Sequence, residues 1–351
     1  MFAELVGLRS VHNSTTYLYL TSLLLGVGLF SSTVGIDLAE AKDNKRIIIA
    51  AVTVGVFAKA AMIGGILYLA TRDPVYLVLG VAVAQIDPLS VAAIMGDSRM
   101  SSRVKSILGA WASFDDPMTV ILVVYVSAVA TQTFGLGEAS GQGPVTDGLL
   151  AYGIDLALNL ALAGLAYLAW LTLRARPWIL TIVLSVLAVI AVAQFLMLAI
   201  AIAGLFMRTP LLERLVGRIV NYALLFSSVL LGLLLVNGVN LTDGLLLGVM
   251  AFVAQIVAGM ALTRKFSRTD RLHLALAQQN GITAIILSLR LETQFSGSVA
   301  VIAPAILVTN VIHYVANWLT DRRWGEPARG EGRETPEPSD PGDAAPKVAS
   351  E

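Results

Sequence analysis

No cysteine occurs in the 351 residues, which excludes disulfides, thiolate metal sites and cysteine nucleophiles and leaves the redox compartment unmarked. Histidine is nearly absent: His12, His273 and His313 are too scattered in sequence for a zinc cluster. Charge is scarce, 14% of residues, and balanced at 24 acidic against 24 basic, so no basic face of the kind nucleic acid requires is present. The N-terminal residues show no basic segment followed by an apolar one, so no cleaved signal is expected. No metal cluster and no nucleophile with its base stand out, so neither an enzyme nor a bound cofactor is expected. What is present is apolar: 56% of the residues are hydrophobic and fall into runs of membrane-spanning length. That composition defines an all-α polytopic membrane protein.

The apolar runs cover 17–36, 47–70, 75–95, 104–130, 149–173, 178–207, 217–236, 242–262, 272–291 and 297–319. The sixth would make a helix about 45 Å long, more than a bilayer needs. Loop charge resolves it. With that run divided near Gln194 into two short spans there are about 11 transmembrane helices, and the loops on one side carry 17 Lys and Arg against 3 on the other. A single long helix would throw the second half out of phase. The positive-inside rule then places the protein in the plasma membrane with its N-terminus outside and its C-terminus in the cytoplasm. The transmembrane domain is expected to cover 1–320, and the Gly-, Pro- and Glu-rich 321–351 a disordered cytoplasmic tail.

An odd number of spans accommodates two like units of opposite orientation. The candidate pair is a core of 47–131 and 241–320, with 17–38 and 149–236 as the scaffold around it. Each unit holds a middle span interrupted by polar residues, Gln85-Ile86-Asp87-Pro88 in one and Gln278-Gln279-Asn280-Gly281 in the other. Proline after Asp is a helix-start signal, which predicts a half-helix from Pro88 to Met95 capped by Asp87. Half-helices that end inside the membrane present partial charges to a cavity, and Asp87, Asn280 and Gln279 are placed to balance them.

The chain is organised around Ser113-Phe114-Asp115-Asp116-Pro117. The two acids lie about 17 to 18 Å along their span at ~1.5 Å per residue, close to the middle of a hydrocarbon core about 30 Å thick. A charge at that depth costs at least ~2.5 kcal/mol, so the pair must face water, an ion or a partner. Pro117 has no amide hydrogen and leaves the carbonyl of Ser113 without its helical donor. Two carboxylates, a hydroxyl and a freed carbonyl suit a hard cation or a proton. The competing reading is a protonated couple buried in the bundle.

Other polar residues lie at similar depth. Lys59 and Gln255 fall about 18 and 20 Å into their spans, at twofold-related positions if the repeat is real. Lys59 either neutralises Asp115 or Asp116 or caps a half-helix. His313 and Asn310 read as packing or interhelical glue, and Asp155 with Asn159 as headgroup residues.

Ala84-Gln85-Ile86-Asp87-Pro88-Leu89-Ser90-Val91, followed by Ser113-Phe114-Asp115-Asp116-Pro117-Met118-Thr119-Val120, resembles the cation/proton antiporter superfamily, the sodium/proton exchangers. Gly26 to Leu38, the segment around Gly64-Gly65, and Asn280-Gly281-Ile282-Thr283-Ala284 are similar to further stretches of that family. The resemblance implies an inverted-repeat antiporter fold with two crossing, unwound helices, monovalent cations and protons as substrates, and a homodimer. It implies that Asp116, with Asp115 and Ser113, binds the cation, Na⁺ first, or the proton. The sequence also departs from the family. Ile86 stands for a threonine, Trp111 for a glutamate of the electroneutral branch, and Gln255 and Asn280 for basic residues, while Lys59 is a candidate replacement charge. The expected function is antiport of a monovalent cation against protons by competition at the Asp pair. The alternatives are a K⁺/H⁺ exchanger or channel-like efflux unit, and a transport-inactive sensor or scaffold.

Overall fold

The computed structural model of the chain describes residues 15–34, 42, 44–88, 91, 100–136, 145–207 and 210–324. Among them every regular element is helical. Helix α1 is Thr15–Val34. Helix α2, Lys45–Thr71, contains a π turn at Ala51–Gly55 whose extra residue advances the helix beyond it by one residue step, about 100°. It stops at Arg72, left-handed at φ 60°, just before Pro74. Helix α3 is Val75–Ala82 and α4 is Ser102–Phe134. The latter begins with Ser101 Oγ accepting the Val104 N–H at 3.2 Å and ends at Gly135, φ 66°. Helices α5, α6, α7 and α8 are Val145–Leu173, Pro177–Ala193, Met197–Phe206 and Pro210–Leu234. Helices α9, α10, α11 and α12 are Leu241–Leu262, Arg268–Ala275, Ile282–Glu292 and Ser298–Trp324. Of the tail expected at 321–351, residues 321–324 instead continue α12, and the rest, with most of the expected half-helix after Pro88, lies outside the described residues.

Among the described residues seven helices, α1, α2, α4, α5, α8, α9 and α12, are long and apolar enough to cross a membrane. The other four expected spans are the ones the chain breaks or shortens: α3 with its continuation, α6, α7, and α10 with α11. The sixth apolar run does divide where loop charge divides it. Helix α6 ends at Ala193 and Phe195 turns left-handed at φ 56°. Leu184 and Ala191 of α6, Ala199 and Met207 from α7 and the residue after it, and Leu162 and Ala166 of α5 line one cavity. Residues 23 apart in sequence meet there only if the chain reverses.

That reversal corrects the expectation for Asp155 and Asn159. Rather than sitting among headgroups, Asn159 is buried, and its Oδ1 accepts the Ala199 N–H at 3.0 Å in the first turn of α7. Its Nδ2 donates to the Asp155 carboxylate at 3.2 Å. A helix that starts inside the bundle has no water for its first amides, so a neighbouring side chain must accept from them.

The order long helix, short helix, unwound stretch occurs twice among the described residues, at α2 with α3 and at α9 with α10, and a long helix, α4 or α12, follows further on. Both times the first helix presses on the short one through small residues. A Cβ on Gly80 would lie 2.5 Å from the Gly64 nitrogen, and one on Gly259 would lie 2.7 Å from Ala275 Cα. The buried core joins Leu25 and Leu29 of α1 to Ile63, Leu79, Leu247, Ile286 and Ile302. Leu165, Ile182, Leu225 and Val229 on α5, α6 and α8 face outward, as lipid-facing residues do.

Candidate cation and proton site

Helix α4 continues through Pro117 and carries Asp115 and Asp116 inside the protein, 0% and 1% exposed. Neighbouring helix positions point about 100° apart, and the two acids accordingly meet different partners. Lys59, itself 0% exposed, places Nζ 2.8 Å from Asp115 Oδ2. The same oxygen accepts the backbone N–H of Ile86 at 2.8 Å, from the unwound stretch after α3. The ammonium lies 5.5 Å from the ring centroid of Trp111, one turn before Asp115 on the same face.

Asp116 faces the other broken helix. Its Oδ2 accepts from the Thr283 hydroxyl at 2.7 Å. Gln85, its amide oriented by its partners, donates to Asp116 Oδ1 at 3.1 Å and accepts the Ala284 N–H at 2.7 Å. The expectation that Asp115 shares the proton of Asp116 is therefore revised: among the described residues no hydrogen bond joins them, because Asp115 is taken up by Lys59 and Ile86. Ser113 is buried but bonds neither acid among the described residues.

The two unwound stretches, 83–87 and 276–281, are tied to each other. The Asp87 N–H donates to the Gln279 carbonyl at 2.9 Å. Gln278 Nε2 donates to the carbonyls of Val83 at 3.0 Å and Gln85 at 2.7 Å. Gly281 packs directly on the Asp87 carboxylate, where any Cβ would collide. The Val91 N–H donates to the Asp87 carbonyl at 3.1 Å. Asn280 is clasped through its backbone by Asn310, whose Oδ1 accepts the Asn280 N–H at 3.0 Å while Nδ2 donates to its carbonyl at 2.9 Å. Gln279 meets His313 Nε2 through its amide. His313 donates from Nδ1 to the Leu276 carbonyl at 2.7 Å, which fixes the neutral tautomer with Nε2 as acceptor. Gln255, a candidate charge partner in the sequence, instead donates to the Leu274 carbonyl at 2.9 Å at the end of α10.

Three carboxylates, Asp87, Asp115 and Asp116, are thus buried at one crossing, and among the described residues the ammonium buried with them is that of Lys59, paired with Asp115. Among the described residues Asp116 meets neutral donors alone, Thr283 and Gln85. In a low-dielectric interior a carboxylate so placed calls for a proton or a cation. Two contributors were missed from sequence, Thr283 and the side chain of Gln85. Both stand beside the polar interruptions that the hydropathy pattern exposes, so the signal was a hydroxyl and an amide within reach of a half-helix end.

Interrupted helices crossing beside buried acids define the class of secondary transporters that move ions through a mid-membrane site. The sodium/hydrogen exchanger transmembrane profile matches residues 1–318, and the chain belongs to that family. The fold is similar to the sodium proton antiporter MjNhaP1 of Methanocaldococcus jannaschii at pH 8, at 18% identity and a TM-score of 0.59 over 86% of each chain. An electron-microscopy structure of MjNhaP1 matches at 17% identity and a TM-score of 0.56, covering 88% of this chain and 82% of that one. A search of curated proteins found no match.

Proposed function

We propose that this cation/proton antiporter exchanges Na⁺ for protons by making the two compete for Asp116. The observation that carries the reading is that buried Asp116 meets neutral donors alone among the described residues, while the buried ammonium of Lys59 is engaged with Asp115. Lys59 and Asp115 hold each other at 2.8 Å and form a fixed pair. Asp116 is left with neutral donors from Thr283 and Gln85, which stabilise its charge without cancelling it. One carboxylate that holds either a proton or a cation couples the two flows, because each must leave before the other binds. The units 47–131 and 241–320 move as one core against 17–38 and 149–236, carrying the crossing between the two sides.

Loop charge supports an outside N-terminus and a cytoplasmic C-terminus. The family also implies a homodimer, which the native mass of the solubilised protein checks.

The test is Na⁺-driven proton flux in proteoliposomes for wild type and Asp116→Asn. Flux in the wild type that disappears in Asp116→Asn is the expected result. Equal flux in both overturns the assignment of Asp116.

A further inference from the structure

Both oxygens of Asp116 are addressed from the first turn of α11. Thr283, 1% exposed, reaches Oδ2 directly at 2.7 Å. Ala284 reaches Oδ1 through Gln85, whose amide bridges from the Ala284 N–H at 2.7 Å to the carboxylate at 3.1 Å. The first amides of a helix lack intrahelical acceptors and carry partial positive charge, so this turn is a natural anchor for an anionic carboxylate.

The two donors differ in what they can become. Turning the Gln85 amide over would set its NH₂ against the Ala284 N–H, donor facing donor, and leave the carboxylate facing an oxygen. Gln85 is therefore locked as a donor to Oδ1. A hydroxyl has one hydrogen and two lone pairs and can rotate.

We propose that Thr283 is a convertible ligand of the transported ion, a reading that rests on Asp116 being the exchanging carboxylate. With the site empty its hydroxyl donates to Asp116 Oδ2. When a cation arrives, the hydrogen turns away from Oδ2 and the Thr283 oxygen presents a lone pair that joins Oδ2 on the ion. When a proton arrives instead, it sits on Oδ2 and is donated to the same Thr283 oxygen. Proton and cation are thereby directed to one atom, because Gln85 holds the other oxygen in both states. The exchange balances: the protonated acid plus the cation gives the cation carboxylate plus a released proton.

The experiment compares wild type, Thr283→Val, Thr283→Ser and Thr283→Cys, each reconstituted as the full chain. KM for Na⁺ and maximal flux are measured at alkaline pH, where proton competition is least. Losing one oxygen ligand is expected to raise KM about tenfold in Thr283→Val, the equivalent of ~1.4 kcal/mol, with maximal flux close to wild type. Thr283→Cys keeps the size and a weak donor but offers a soft sulfur to a hard ion, so its KM rises similarly. Thr283→Ser, which keeps the oxygen, stays within about twofold of wild type. An unchanged KM in Thr283→Val or Thr283→Cys overturns the proposal, as does a Thr283→Ser variant impaired as much as Thr283→Val. A wild type that exchanges no Na⁺ for protons refutes the underlying function instead, so the two failures are read from different proteins.

Discussion

Replacing Lys59 by methionine removes the cation that pairs with Asp115 while keeping most of its apolar stem. At 2.8 Å and an effective dielectric of ~20, the attraction to Asp115 amounts to about 6 kcal/mol before desolvation is counted. Desolvating both groups offsets part of that, so the pair itself is a modest net contributor. Breaking it from one side is different, because Asp115 is 0% exposed and keeps only the Ile86 N–H at 2.8 Å. The expected loss is about 3–5 kcal/mol of folding stability, read as thermal or detergent-denaturant unfolding of the purified protein. The double variant Lys59→Met with Asp115→Asn removes both charges and keeps an acceptor for Ile86. It should recover to within about 2 kcal/mol of wild type and still exchange Na⁺ for protons through Asp116. A single variant as stable as wild type would refute the buried-pair reasoning. A well-folded double variant without exchange would refute the claim that the pair is fixed and Asp116 does the exchanging.

Gly281→Ala drives a methyl into the Asp87 carboxylate where the two unwound stretches touch. Its proteoliposome flux should fall at least about tenfold, as expected when a small misplacement disrupts a positioned site; unchanged flux would show that the crossing tolerates widening. Asn159→Leu removes the acceptor for the Ala199 N–H. It should cost about 1 kcal/mol of stability and leave KM for Na⁺ unchanged, since Asn159 touches α7 and not the acids. A shifted KM would make Asn159 part of the ion path.

Hydropathy revealed where the chain crosses and, through polar interruptions, where it unwinds. Gln85 to Pro88 and Gln278 to Gly281 were legible because apolar runs of that length have no packing use for amides and an acid set beside a proline or glycine. The division near Gln194 was legible only through loop charge, since the apolar run itself is continuous and its reversal rests on one left-handed residue, Phe195. Depth along the helix paired Lys59 with the acids, because residues equally far into their spans share a level of the membrane. Depth says nothing about rotation, however. It left open which acid Lys59 meets, and it gave no warning that Gln255 turns to the end of α10. Asp155 and Asn159 were misplaced because their position near a helix start suggested an interface, whereas the neighbouring helix α7 starts inside the bundle and needs them there. Thr283 escaped notice for a similar reason, since a lone threonine in an apolar half-helix acquires meaning only when Asp116, 167 residues away, packs against it.

The central claim is that proton and cation exclude each other at Asp116. Proton release on adding Na⁺ to the purified protein in weakly buffered detergent solution measures this directly. One proton should leave for each cation bound, the yield should fall as pH rises and the acid empties beforehand, and Asp116→Asn should release none. Saturable Na⁺ binding without proton release across that pH range, or release that survives in Asp116→Asn, would contradict the account.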